Sequence, residues 1–173
     1  MGERALVICY DRAERYDCYR SQWAELDCLI DIAVSGQCPV KEANTPSAGG
    51  EWKRSGRARW AELVDDLDYL SLDICVRCDP DAVSVYLPVW LGIPAGQIDR
   101  TESTCGVLLR VESGAEFARR RERIRRHKEN LGSAIEGGLI GQKAARQSLL
   151  AVIGSHERYL STSAVECYFG VSE

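Results

Sequence analysis

Seven of the ten residues from Arg119 to Lys128 are cationic: Arg119, Arg120, Arg121, Arg123, Arg125, Arg126 and Lys128. Few apolar residues accompany them, namely Phe117, Ala118, Ile124 and Leu131. A helix this polar either projects from the fold or packs along a narrow seam. Ser113 can cap it, and Glu116 three residues on completes a capping box. The pattern predicts a helix over 114–131, with Gly132 in the stop position. Between Gly114 and Lys128, seven cations against two acids give +5; the whole chain carries -4, so the remainder carries -9. Such asymmetry suggests a surface built to meet something negative.

Adjacent arginines repel each other by tenths of a kcal/mol per like pair at i,i+4 spacing, which a negatively charged partner would relieve. Three readings stand side by side. The helix is a solvated face with no dedicated partner, or it contacts protein, self-assembly included, or it contacts nucleic acid. The acids Asp65, Asp66 and Asp68 show that a second copy of the chain could supply an acidic surface. Against nucleic acid stand the acidic balance elsewhere and the lack of aromatics interleaved with the arginines.

A chain of 173 residues with 45% apolar content can bury one sizeable core. No secretory signal is evident at the start, and no stretch is long and apolar enough for a membrane helix. The longest uncharged run, Ala82 to Ile98, is punctuated by Pro88, Gly92, Pro94 and Gly96. A cytoplasmic setting is expected, or a virion if the chain is virus-encoded, with no membrane partner.

The pattern elsewhere predicts an α+β fold with an antiparallel sheet. Ala5–Tyr10 and Tyr16–Trp23 read as an N-terminal hairpin; if Tyr10 faces Asp17, then Cys9 faces Cys18. Leu26, Leu29, Ile30 and Ala33 form a helical stripe between Ala24 and Val34. Gln37–Gly50 reads as an exposed loop. Arg57–Leu72 is expected to be an amphipathic helix carrying Trp60, Leu63, Val64, Leu67 and Leu70 on one face. Strands are expected at Ile74–Cys78, Val83–Trp90 and Gly106–Val111. Pro88 cannot donate a ladder hydrogen bond, which predicts an edge or an end for its strand. Gln142–Ile153 is a further helix, and Ser161–Val171 a short last strand. The core is expected where the Trp60–Leu70 stripe packs on the face carrying Val83, Val85, Leu87 and Val89. Residues 1–112 then form an α+β core domain, and 113–173 a helical C-terminal region containing the arginine-rich helix.

The eight cysteines read mainly as structural thiols. Cys75-Val76-Arg77-Cys78 is a lone CxxC, a weak zinc candidate, since a structural site needs a second pair of ligands. In a strand its two thiols face roughly opposite sides. Cys105, Cys167, His127 and His156 stand alone, none at knuckle spacing. Gly137–Lys143 is not a phosphate loop, because Gln142 separates the glycine from the lysine. With two histidines and no GxSxG or HExxH, nothing marks a hydrolase, and no cofactor or catalytic residue is implied.

The opening Gly2-Glu3-Arg4-Ala5-Leu6-Val7, followed by Tyr10, Tyr16, Tyr19 and Ser21-Gln22-Trp23, resembles the start of a family of small uncharacterised haloarchaeal proteins. Val83–Ile93, with Tyr86, Leu87, Trp90 and Gly92, is similar to a later strand of that family. The resemblance implies an archaeal or archaeal-virus setting and carries over no binding or catalytic residue. The combined expectation is a non-enzymatic interaction or structural protein, such as part of an archaeal virus particle. It would contact an acidic partner through the arginine-rich helix. The alternatives are a nucleic-acid-binding protein using the same helix, and a small enzyme.

Overall fold

The computed structural model describes residues 3–11, 13–40, 51–94, 103–154 and 158–169. In chain order these form β1 (Glu3–Tyr10), β2 (Arg15–Ala24), α1 (Leu26–Val34), β3 (Lys53–Arg59), α2 (Trp60–Asp66), β4 (Ile74–Cys78), β5 (Val83–Trp90) and β6 (Gly106–Val111). They continue with α3 (Gly114–Glu136), α4 (Gln142–Ile153), β7 (Arg158–Leu160) and α5 (Thr162–Phe169). The strands make one sheet in the order β3-β2-β1-β4-β5-β6-β7. Among the described residues only the β1–β4 pair is parallel. The fold is α+β.

Strand alternation sorts the sheet into two buried faces. Ala5, Val7, Val76, Val85, Leu87 and Leu109 point to one face, where α1, α3 and α4 cover them. Leu6, Ile8, Cys75, Tyr86 and Leu108 point to the other, where Val64 of α2 and Leu67 just beyond it lie. Burial on both sides is why Ala5–Ile8 is continuously apolar instead of alternating. α1 places Leu26, Leu29, Ile30 and Ala33 on the first face, as its periodicity predicts.

Several expectations are corrected. Cys9 pairs with Asp17 and Ile8 with Cys18, one residue from the expected hairpin register. Arg57–Arg59 belongs to β3, an edge strand whose exposed sequence Lys53–Arg59 lacks apolar alternation. The helix after it ends at Asp66, and Leu70 is exposed. Its stripe packs on the Tyr86 and Trp90 face, opposite to Val85, Leu87 and Val89. The segment beyond α2 is held by Tyr69, which takes Ser103 O through its backbone N–H at 2.9 Å and donates its hydroxyl to Val64 O at 2.8 Å. The Tyr69 ring lies where a side chain on Gly106 would have to go.

β5 is interior, between β4 and β6, despite Pro88. Leu91 N donates to Cys105 O on the β6 side. Alternation then turns Pro88 N the other way, and β4 pairs with β5 only from Val83 to Tyr86. The missing donor therefore faces a stretch where no ladder bond was due.

Ser161 is followed by a helix, not a strand; β7 precedes it, and Thr162 N and Oγ1 both donate to Asp65 of α2. α3 runs through Gly132 to Glu136. Gly132 is a close approach, not a stop: a Cβ there would meet Pro94 O at 2.6 Å. The helix ends instead at Gly137 and Gly138, the latter with φ +69°. The C-terminal region thus adds β7 to the common sheet and Phe117, Ile124, Leu131, Ala145 and Leu149 to the common core. Loop positions 41–50 and 95–97, and His156, lie outside the described residues.

Candidate interaction surface

α3 starts at the predicted cap, Ser113, but Glu116 closes on the residue before it and not on Ser113 N. Ser113 Oγ accepts from Glu116 N at 3.2 Å, while the Glu116 carboxylate reaches back to Glu112 N at 2.8 Å. From there the helix divides lengthwise. Phe117, Ile124 and Leu131, spaced by seven, are buried against the sheet. That heptad seam, thin in sequence, is enough to seat the helix.

The seven cations do not act as one block. Arg120 pairs with Glu116 at 2.7 Å and reaches Arg110 O. Arg121 bridges Glu3 at 3.0 Å and Asp73 at 2.8 Å, tying the helix to the start of β1 and the entry to β4. Arg125 pairs with Glu122 and Glu129, and Arg126 with Glu122. Those hydrogen bonds from Arg125 and Arg126 pull the Glu122 carboxyl down to about 2, so it stays ionised at any ordinary pH. Lys128 turns inward: its amine donates to Trp90 O at 2.6 Å and lies 4.7 Å from the Trp90 ring centroid. Burial lowers its pKa to about 8.

Arg119 and Arg123 are exposed and, among the described residues, make no ion pair. With Arg126 they follow i, i+4, i+7 spacing along the outward side. An open hollow of about 430 Å³ lies among Arg119, Glu122, Arg123, Arg126, His127 and Asn130. Its floor is steadied by His127, whose Nε2 is 3.1 Å from Ser148 Oγ of α4. A carboxylate entering there would meet guanidinium groups suited to bidentate pairing. On the other side of α3, a groove of about 1190 Å³ separates it from α1. Trp23, 67% exposed, stands at that groove, with Glu25 and Asp31 facing Arg121 and Arg125 across it.

Two further clusters lie away from α3. On the α2 face, the Arg77 guanidinium sits 4.6 Å from the Trp60 ring and 5.1 Å from the Tyr16 ring. It ion-pairs with Asp79 at 2.8 Å and donates to Tyr16 Oη at 2.7 Å, while Tyr16 donates to Asp79. Burial, then the hydrogen bond to Asp79, raises the Tyr16 phenol to about 12. This network closes on itself and reads as support for α2. The CxxC residues do not converge: Cys75 is buried on the α2 face and Cys78 on the other. Cys78 instead meets Cys9 and Cys38, a grouping the sequence reading missed. Cys38 arrives from beyond α1, so no spacing motif announces it.

Among the described residues no helix is long and apolar enough to cross a membrane. No family model, no curated protein and no solved structure matches the chain.

Proposed function

We propose that the protein is a non-enzymatic interaction module that binds an acidic protein surface through the outward side of α3. The observation that carries this is the open hollow between Arg119, Arg123 and Arg126, two of which lack an ion pair among the described residues. Arg120 and Arg121 are neutralised by their own chain and Arg126 shares Glu122 with Arg125, so Arg119 and Arg123 are the cations left to a partner, with Arg126 beside them. Glu122 stands within the hollow and interrupts the positive field, which suits carboxylate side chains better than a continuous phosphate backbone. The setting suggested by the haloarchaeal resemblance, a virus particle or another assembly, is compatible with such a contact.

The test is a triple variant, Arg119→Gln, Arg123→Gln and Arg126→Gln, compared with wild type. Fluorescence anisotropy with a labelled glutamate-rich peptide and with a labelled DNA duplex, each across a salt series, reads partner class. Light scattering reads self-association. Peptide binding or self-association that weakens in the variant supports the reading. Steeply salt-dependent DNA binding transfers the same surface to nucleic acid. Wild type that neither binds nor associates, or a variant that behaves as wild type, refutes it.

A further inference from the structure

We propose that Cys9, Cys38 and Cys78 form a binding site for a thiophilic divalent cation of the Zn²⁺ type. The sheet prepares two of the ligands. β1 and β4 are the parallel pair, and Cys9 and Cys78 are in-register neighbours at their C-terminal ends. In-register residues on adjacent strands share a face and lie about 5 Å apart. Both project to the face covered by α1, and there Cys38, four residues beyond the end of α1, comes down onto them. The three Sγ atoms all lie within 4.8 Å of one another, and Cys9 and Cys38 are in contact at 3.2 Å.

Those separations match what a metal needs. A zinc–sulfur bond of about 2.3 Å with tetrahedral angles spaces ligand sulfurs about 3.8 Å apart. The 3.2 Å contact and the 4.8 Å limit on all three separations lie within about 1 Å of that value, so small side-chain rotations close it. Access is also provided: Cys78 is buried, whereas Cys9 and Cys38 are half-buried at the rim. Thiolate, not thiol, is the ligand. A divalent cation supplies the missing positive charge, and three thiols with one M²⁺ give M(S)₃⁻ and three released protons. Among the described residues no fourth Cys, His, Asp or Glu joins the group, which leaves the fourth position to water or another small ligand. A third thiol inside the same radius is what favours a metal over a disulfide, which would use only two.

Full-length protein, reduced and stripped of metal, is titrated with Co²⁺ and then with Zn²⁺. The expected result is one Co²⁺ per chain, with thiolate charge-transfer absorption in the near ultraviolet and strong tetrahedral-type visible bands that Zn²⁺ abolishes. Cys38→Ala, folded by circular dichroism, loses the bands; Cys75→Ala, on the opposite face, keeps them. A second measurement needs no variant. Zn²⁺ should protect Cys9 and Cys38 from alkylation, read by mass spectrometry, and leave Cys28, in the α1–α3 groove, unprotected. No uptake by the reduced protein, bands retained in folded Cys38→Ala, or no selective protection overturns the proposal. A Cys9–Cys38 disulfide with no metal uptake after reduction overturns it in favour of a redox pair.

Discussion

Replacing Ile124 tests whether the arginine-rich helix is part of the fold. Ile124 sits between Arg123 and Arg125, yet it is only 7% exposed and packs in the core of the α1–α3–α4 face. Ile124→Ala removes most of a buried aliphatic side chain and leaves a cavity beneath α3, beside Phe117 and Leu131. Such truncations cost about 2–5 kcal/mol, and a site near the rim of the core, where the helix can settle, belongs toward the lower end, about 2–4 kcal/mol. Ile124→Val should cost about 0.5–1.5 kcal/mol, giving a graded series. Arg119→Gln and Arg123→Gln, five residues and one residue away, should stay within about 0.5 kcal/mol. Urea unfolding followed by far-ultraviolet circular dichroism measures all four, with an unchanged slope confirming that the midpoint shift is a change in stability. A loss below about 0.5 kcal/mol for Ile124→Ala would refute the seam, and the helix would then be only laid on the surface.

Lys128 gives a pH test. Its folded pKa of about 8 lies below the ordinary 10.5, so below pH 8 both states are protonated and the cost of burying the charge is fully present. Between about 8 and 10.5 the folded chain has lost the proton while the unfolded chain keeps it, so that cost fades as pH rises. Relative to Lys128→Met, wild type should gain about 1–3 kcal/mol over this window; the full gap would give somewhat more than 3 kcal/mol, and solvent at the half-buried amine and the bond to Trp90 O reduce it. A pH-independent difference in unfolding free energy between the two would refute it. Gly132→Ala sets two effects against each other. Alanine favours a helix interior by up to about 1 kcal/mol, but its Cβ would stand 2.6 Å from Pro94 O. We expect the clash to win, at a net cost of about 1–3 kcal/mol; a higher urea midpoint for the variant would refute it.

Elements whose residues repeat at a clear period were legible. α1, β5 and α4 sit where alternation or the helical stripe placed them, and β4 and β6 where short apolar runs did, because local sequence decides each. β3 was not, since Lys53–Arg59 is an exposed edge with no apolar face to alternate. Alternation also groups residues by face without saying which helix covers which face, and the α2 stripe therefore went to the wrong side of β5. The stop at Gly132 failed because a glycine required by Pro94 looks, in sequence, like one required by a helix end. The thiol cluster was illegible for a further reason: it joins two strand ends to a loop residue across the β1–β4 pairing, which is long-range and parallel. What the sequence did carry was the cationic run; what it lacked was the division of that run by the turn of the helix.

That division has an energetic logic. The pairs along the solvent side of α3, such as Arg125 with Glu122 and Glu129, are exposed and screened by solvent, and contribute little to stability. They cannot be what holds the helix in place. Phe117, Ile124 and Leu131 are three buried side chains, each worth roughly 1.5–3 kcal/mol in transfer from water. Stability therefore resides in positions that contribute no charge, and charge resides in positions that contribute little stability. Substitutions at Arg119, Arg123 and Arg126 can remove the outward positive field while leaving the seam intact. A binding loss in that triple variant, at unchanged urea midpoint, then reports on recognition and not on folding.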